Sequence, residues 1–267
     1  MTQKNYFLFV DIGNTACDFL ATDFQALKKR YKIAVTDFPL ISKTMVALFK
    51  KYQNTMVYIS SVNKPLQQNL FKLLNSRHVD YHLLDSSVMS AFCKKNHYTI
   101  PNISILGADL FCDIIAKESP KGRIVVDLGT ATKILYLTQD QVFQGGQILP
   151  GLYAFPEILY QNTSLLGKNP LMERPHLVSL DTREAISSGA INGQAALISK
   201  TVEVLREKAG LLSLPVTFTG GNAPLIWEAL KTFGLPDAGY DRNLVLEGLA
   251  RAYGFAGYAS LADTHLS

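Results

Sequence analysis

The sequence predicts an α/β protein made of two duplicated domains, residues 1–118 and 119–267. Three observations carry this reading. A turn beginning Asp-x-Gly with threonine close behind occurs twice, as Asp11-Ile12-Gly13-Asn14-Thr15 and as Asp127-Leu128-Gly129-Thr130-Ala131-Thr132. Each copy lies between two short apolar runs, the pattern of strand, tight polar turn and strand. The two aspartates stand 116 residues apart in a chain of 267, close to half its length. A short motif after a strand can recur by chance, but here the flanking strands and the position agree with it.

In the first half, Phe7 to Val10 is a buried strand and Ala16 to Ala21 its hairpin partner. Ile41, Met45, Leu48, Phe49 and Tyr52 follow helical spacing over Ile41 to Gln53. Thr55 to Val62 is a strand, and Pro65 opens a helix carrying Leu66, Leu70, Phe71, Leu73 and Leu74. Ala108 to Lys117 is a further helix, and Ser119-Pro120-Lys121-Gly122 is the strongest break in the chain. The opening pattern then returns, with strands at Arg123 to Val126 and Lys133 to Leu137 and a third over Gln141 to Ile148. Asp181-Thr182-Arg183-Glu184 has a capping-box arrangement ahead of a long amphipathic run. Pro215 to Phe218 is a short strand ending in Thr219-Gly220-Gly221-Asn222. Pro224 to Phe233 is a helix, and another closes the chain from Arg242 to about Leu261.

Composition narrows the function classes. An apolar share of 48% and a charged share of 18% exclude disordered, collagen-like and coiled-coil chains. A net charge of +4 gives no case for nucleic acid, whose binders carry dense basic patches. Lys28-Lys29-Arg30 and Lys94-Lys95 are read as solvated faces. Cys17, Cys93 and Cys112 are odd in number and widely spaced, which excludes a disulfide framework and a paired-cysteine zinc site. No apolar run is long enough to span a bilayer. The expected location is the cytoplasm, with no membrane and no nucleic-acid partner.

The two turns carry residues suited to phosphate. Such a site needs backbone N–H groups, small residues that let phosphate approach, and polar side chains to complete the contacts. Gly13 and Gly129 supply the approach; Asn14, Thr15, Thr130 and Thr132 supply donors; Asp11 and Asp127 can hold a cation or water. Aspartate and glycine are also ordinary turn residues, so one copy alone is ambiguous. Two copies at equivalent places favour a nucleotide cleft between the two domains. No P-loop and no dinucleotide fingerprint is present. Gly220-Gly221 would let an adenosine lie on bare backbone, but taken alone the motif is better read as a plain strand-to-helix turn. Asp109, where a loop enters a helix, is the candidate acceptor of a hydroxyl proton, because phosphoryl transfer needs a carboxylate within reach of that hydroxyl. From spacing alone, favourable charge at a helix N-terminus is the better explanation of Asp109.

Taken together these segments resemble the type III pantothenate kinases, of the actin and sugar-kinase ATPase superfamily. The matching stretches are Asp11 to Thr15; Gly107-Ala108-Asp109; Asp127 to Thr132; Gly145-Gly146-Gln147-Ile148-Leu149-Pro150-Gly151; Thr182-Arg183-Glu184-Ala185-Ile186 with Gly189; and Thr219-Gly220-Gly221. Each is weak alone, but all occur in order over nearly the whole chain. The resemblance implies an actin-like (ribonuclease H-like) ATPase fold and ATP-dependent phosphorylation of pantothenate to 4′-phosphopantothenate, the first step towards coenzyme A. It implies Asp109 as the catalytic base. It implies ATP phosphates held by Asp11, Ile12, Gly13, Asn14, Thr15, Ala16, Cys17 and Asp18, with Thr130. Tyr98, Gly107, Ala108, Asp109, Leu110 and Thr182 would line the pantothenate pocket. Asp127 would bind a monovalent cation, K+ or NH4+; Mg2+ would accompany ATP; and the protein would work as a homodimer.

Two positions depart from the family pattern. Leu110 stands where the family has arginine, which removes a charge-assisted partner for the pantothenate carboxylate. Lys133 stands where threonine is usual and is expected to restore positive charge near the substrate or the phosphates. In addition, Pro101 lies six residues before Gly107, where the family typically has four. Two other readings stay open: a diverged kinase for another hydroxyl acceptor, and a non-catalytic nucleotide-binding regulator.

Overall fold

The structure, a computed structural model, describes residues 5–24, 28–168, 170–236 and 238–255. It divides into two compact units between Glu118 and Ser119, and the stretch from Asn243 returns to the first unit.

The first unit contains β1 (Tyr6–Ile12), β2 (Ala16–Thr22), β3 (Lys28–Ala34), α1 (Phe38–Lys51), β4 (Thr55–Ser61), α2 (Lys64–Ser76), β5 (Tyr81–Leu83), α3 (Ser86–Asn96) and α4 (Ala108–Ile115). Its sheet runs β3-β2-β1-β4-β5. The β1–β2–β3 meander is antiparallel, whereas β4 and β5 are parallel to β1. β1 is covered on both faces. Leu8, Val10 and Ile12 join Val57 and Ile59 against Ile41, Met45 and Leu48 of α1 and Leu66, Leu70 and Leu74 of α2. On the opposite face Phe9 stacks on Tyr58 at 5.3 Å and meets Phe255 edge-on at 5.7 Å.

Local chemistry sets the helix starts. Asp37 accepts from Leu40 N at 3.0 Å, and Asn63 accepts from Leu66 N at 3.1 Å. A proline follows each cap in the first turn, where its missing N–H costs nothing. Asp85 starts α3 by accepting from the N–H groups of Ser87 and Val88. Those bonds hold the Asp85 carboxyl below its ordinary value, the Ser87 hydroxyl contributing most.

The second unit contains β6 (Arg123–Leu128), β7 (Ala131–Leu137), β8 (Phe143–Pro150), α5 (Ala154–Asn162), α6 (Thr182–Ser188), α7 (Gln194–Ala209), β9 (Val216–Thr219), α8 (Ala223–Thr232) and β10 (Gly239–Tyr240). Its sheet runs β8-β7-β6-β9-β10, with β6–β7–β8 antiparallel and β9 and β10 parallel to their neighbours. This is the arrangement of the first sheet repeated strand for strand. The core packs Ile124, Val126 and Leu128 of β6 against Ala195, Ile198 and Val202 of α7 and Ile226 and Leu230 of α8.

Several expectations change. The closing helix, α9 (Leu244–Ala252), does not belong with residues 119–242 but packs on α4 of the first unit. Gly248 makes that contact close, since a Cβ there would land on the Cys112 carbonyl. The part of the predicted helix beyond Phe255 lies outside the described residues. Lys28-Lys29-Arg30 belongs to a strand rather than to a merely solvated run: β3 is a sheet edge, where charge blocks further pairing. Lys94 and Lys95 are exposed, in the last turn of α3. The third strand of the second half starts at Phe143 rather than Gln141, because Gln141 takes a left-handed turn conformation. The amphipathic run after Asp181 is interrupted by a π-turn over Gly189–Gly193. The capping box is half formed: Asp181 accepts from Glu184 N at 2.9 Å, but Glu184 turns instead to Ser179 and His176.

Candidate functional site

In the first unit the β1–β2 turn is closed by Gly13 N–H donating to Ala16 O at 3.0 Å. In the second, Gly129 N–H donates to Ala131 O at 3.2 Å. Both glycine N–H groups are thus used inside their turns, contrary to a simple phosphate cradle. What the turns present outward is Asn14, Thr15 and Thr130, all exposed. Ile12 and Cys17 are buried core, and Ala16 is half-buried. Burial, with Asp11 and Asp18 nearby, pushes the Cys17 thiol far up, so it is no nucleophile.

Asp11 ends β1 beside Ser60 of β4, its register partner. Ser60 is wholly buried and its Oγ donates to Asp11 Oδ1 at 2.9 Å. Asp18 pairs with Arg30 at 3.0 Å and faces Lys32 at 3.7 Å, both on β3. Arg30 also donates to Asn243 Oδ1 at 2.9 Å, tying β3 to the returning segment.

Asp109 lies in the first turn of α4, and its Oδ1 accepts from Leu110 N at 2.8 Å. Gly107 makes room for it, because a Cβ there would stand 2.6 Å from that oxygen. Behind it, Cys112 is wholly buried, and its thiol is pushed well up by burial and then by the charges of Asp11, Asp113 and Asp109. Asp11 and Asp109, far apart in sequence, thus both lie within electrostatic range of one buried thiol. Ala108 is buried and Leu110 half-buried on the same helix.

Tyr98 is buried against Phe92, with ring centroids 5.6 Å apart, and under the Arg251 guanidinium at 5.9 Å. Its hydroxyl finds no hydrogen-bond partner among the described residues. Arg251, on α9, also donates to Ile115 O at 2.7 Å and pairs with Glu118 at 2.6 Å. The sequence reading missed Ser60 and Arg251. Ser60 could have been found from the parallel register of β4 with β1; nothing local marks Arg251.

In the second unit Asp127 ends β6. Lys133 Nζ donates to its Oδ2 at 2.8 Å. Asn222 Nδ2 grips Gly129 O at 2.9 Å, and Asn222 N–H takes Leu128 O at 2.9 Å. Gly220, at φ +90°, would bring a Cβ within 2.6 Å of Asp127 Oδ1. Gly151 likewise lets the end of β8 pass over Thr130, whose carbonyl a Cβ would strike. By contrast, a Cβ at Gly129 would meet only ordinary contacts, the nearest 3.5 Å away. The fold does not demand glycine there. Thr132 is buried and spends its hydroxyl on Gln194 Oε1 at 2.8 Å, which removes it from the set of phosphate donors. Thr182 is exposed at the start of α6.

Comparison with known proteins decides the family. The type III pantothenate kinase profile matches residues 7–204. The chain belongs to the type III pantothenate kinase family. A family member from Thermosipho africanus is 29% identical over 253 residues, covering 92% of this chain and 97% of its own. One from Listeria monocytogenes is 26% identical over 258 residues, covering 92% and 96%. A solved structure of a Baf family protein from Campylobacter jejuni superposes with a TM-score of 0.55 at 20% identity, covering 92% of this chain and 96% of that one. Family membership carries the actin-like ATPase fold, and the two matching five-stranded sheets agree with it.

The family's ATP chemistry involves a divalent metal. Among the described residues no group of three or more His, Cys, Asp or Glu side chains could hold a metal by itself. A monovalent cation at Asp127 fits less well, since the Lys133 ammonium already takes Oδ2.

Proposed function

We propose that this chain is an ATP-dependent pantothenate kinase forming 4′-phosphopantothenate, with Asp109 as the group that takes the proton from the attacking hydroxyl. The observation that carries the reading is the match to the type III pantothenate kinase profile over residues 7–204, with Asp109 in the first turn of α4 beside Gly107. A transferring phosphoryl group passes through a loose transition state, so the protein's work is positioning and charge stabilisation. Asp11, held by Ser60, and Asp18, held by Arg30, orient the ATP phosphates together with Asn14, Thr15 and Thr130. Mg2+ bound to ATP supplies neutralisation of the phosphate charge. A carboxylate at Asp109 Oδ accepts the hydroxyl proton as the oxygen attacks. Gly107, Ala108 and Leu110 shape the acceptor pocket beside it, with Tyr98 and Thr182. The partnerless Tyr98 hydroxyl supports a polar ligand there, since an unsatisfied buried hydroxyl costs roughly 1–3 kcal/mol.

The protein acts in the cytoplasm, as a homodimer and without a nucleic-acid or membrane partner. Among the described residues no helix is long and apolar enough to cross a membrane. Ile148, Tyr153, Ile158, Tyr160 and Leu197 of the second unit are large exposed apolar side chains, which supports pairing of two copies through that unit.

The deciding experiment is ADP release by purified protein with ATP and Mg2+, with and without pantothenate. Pantothenate-dependent turnover supports the reading. ADP release only with another hydroxyl compound would favour the diverged kinase, and nucleotide binding without any transfer would favour the regulator.

A further inference from the structure

Asp127 and Lys133 are register partners on β6 and β7. Their side chains are 11% and 17% exposed and meet at 2.8 Å. The corresponding pair of the first hairpin is Asp11 and Asp18. There two carboxylates face each other across the strands, and positive charge arrives from the third strand through Arg30. In the second hairpin the partner strand itself supplies the cation. An ammonium group and a potassium ion carry the same charge and suit the same carboxylate oxygen. Tethered to the strand, the ammonium is always present, whatever salt surrounds the protein.

We infer that Lys133 serves as a built-in monovalent cation for the Asp127–Thr130 loop, so that this chain binds nucleotide and turns over without potassium or ammonium. The inference rests on the proposed role of that loop in holding ATP. Removing the ammonium takes the neighbouring positive charge from a mostly buried carboxylate, a costly change that a small cation can relieve.

The test uses wild-type protein and Lys133→Thr, each in potassium, ammonium and tetramethylammonium chloride at equal ionic strength. ATP-analogue affinity by calorimetry and pantothenate-dependent ADP release are read in each salt. The wild type should agree within about twofold across all three. Lys133→Thr should lose about tenfold in affinity or turnover in tetramethylammonium, the worth of one charge-assisted contact, and recover in potassium or ammonium. A purely structural lysine would not give that rescue. If Lys133→Thr does not fold by circular dichroism, Lys133→Gln, which keeps a donor and loses the charge, is read in the same way.

A wild type that depends on potassium, or a folded variant indifferent to salt, overturns the inference. Wild-type nucleotide binding that is independent of potassium, without pantothenate-dependent transfer, would sustain it while removing the pantothenate reading. Failure to bind nucleotide in every salt would remove both.

Discussion

Ser60 Oγ donates to Asp11 Oδ1 at 2.9 Å, and the two residues are register partners on neighbouring parallel strands. The serine has no access to solvent, whereas the aspartate reaches the turn. A buried donor thus fixes the orientation of a carboxylate at the edge of the site. Ser60→Ala should lower kcat/KM for ATP about tenfold, in line with about 1.5–3 kcal/mol for a hydrogen bond to a charged group. Steady-state kinetics at varied ATP checks this; unchanged kinetics would remove Asp11 orientation from the mechanism.

Asp109→Asn keeps the shape of the side chain and its place beside Gly107 but cannot accept the hydroxyl proton. Turnover should fall on the order of 10²–10⁴-fold, the usual contribution of a positioned base. Nucleotide affinity should stay within about twofold, since Asp109 is not assigned to the phosphates. Near wild-type turnover would take the residue out of the chemistry.

Gly248→Ala tests the return of α9 to the first unit. The added methyl would strike the Cys112 carbonyl, a backbone atom that cannot swing away. Overpacking of this kind costs about 1–3 kcal/mol. Chemical denaturation should show the midpoint falling without a change in slope.

Acid should loosen the segment ahead of α6. Glu184 accepts from Ser179 Oγ at 2.6 Å, from His176 N–H at 3.0 Å and from His176 Nδ1 at 2.7 Å. The Ser179 hydroxyl, followed by the His176 contacts, holds the Glu184 carboxyl down from its ordinary 4.5 to about 2. A depressed folded-state value means stabilisation that is present above the ordinary value and lost as pH falls through the folded one. Hydrogen exchange around His176 to Ser179 should therefore quicken between about pH 4.5 and pH 2 relative to Glu184→Gln. Equal pH profiles for the two proteins would refute the assignment.

Sequence alone determined the repeated opening of the two halves. Strand, polar turn and strand are local patterns, and apolar runs bounded by Asp-x-Gly turns report them directly. The start of α2 was legible for the same reason, since Pro65 marks a first turn by its own chemistry, whereas the caps Asp37 and Asn63 were not read and emerged with the structure. Asp109 was legible as a helix-start carboxylate next to a glycine, and structure explained why that glycine stands there. The short β5 and α3 were not foreseen, because three residues and a sparse apolar face give no period to read.

Tertiary structure decided what depends on contacts distant in the chain. The ring of Arg251 contacts joins α9 to residues more than a hundred positions earlier, and the long-range packing of Gly248 on Cys112 assigns that helix to the first unit. The meeting of Asp11 with Ser60 follows from parallel register, which hairpin patterns do not encode. Lys133 was visible as an unusual residue, but only the antiparallel pairing of β6 with β7 set its ammonium against Asp127. Side chains opposite one another across a sheet interact because register puts them there, and register is a property of two strands together.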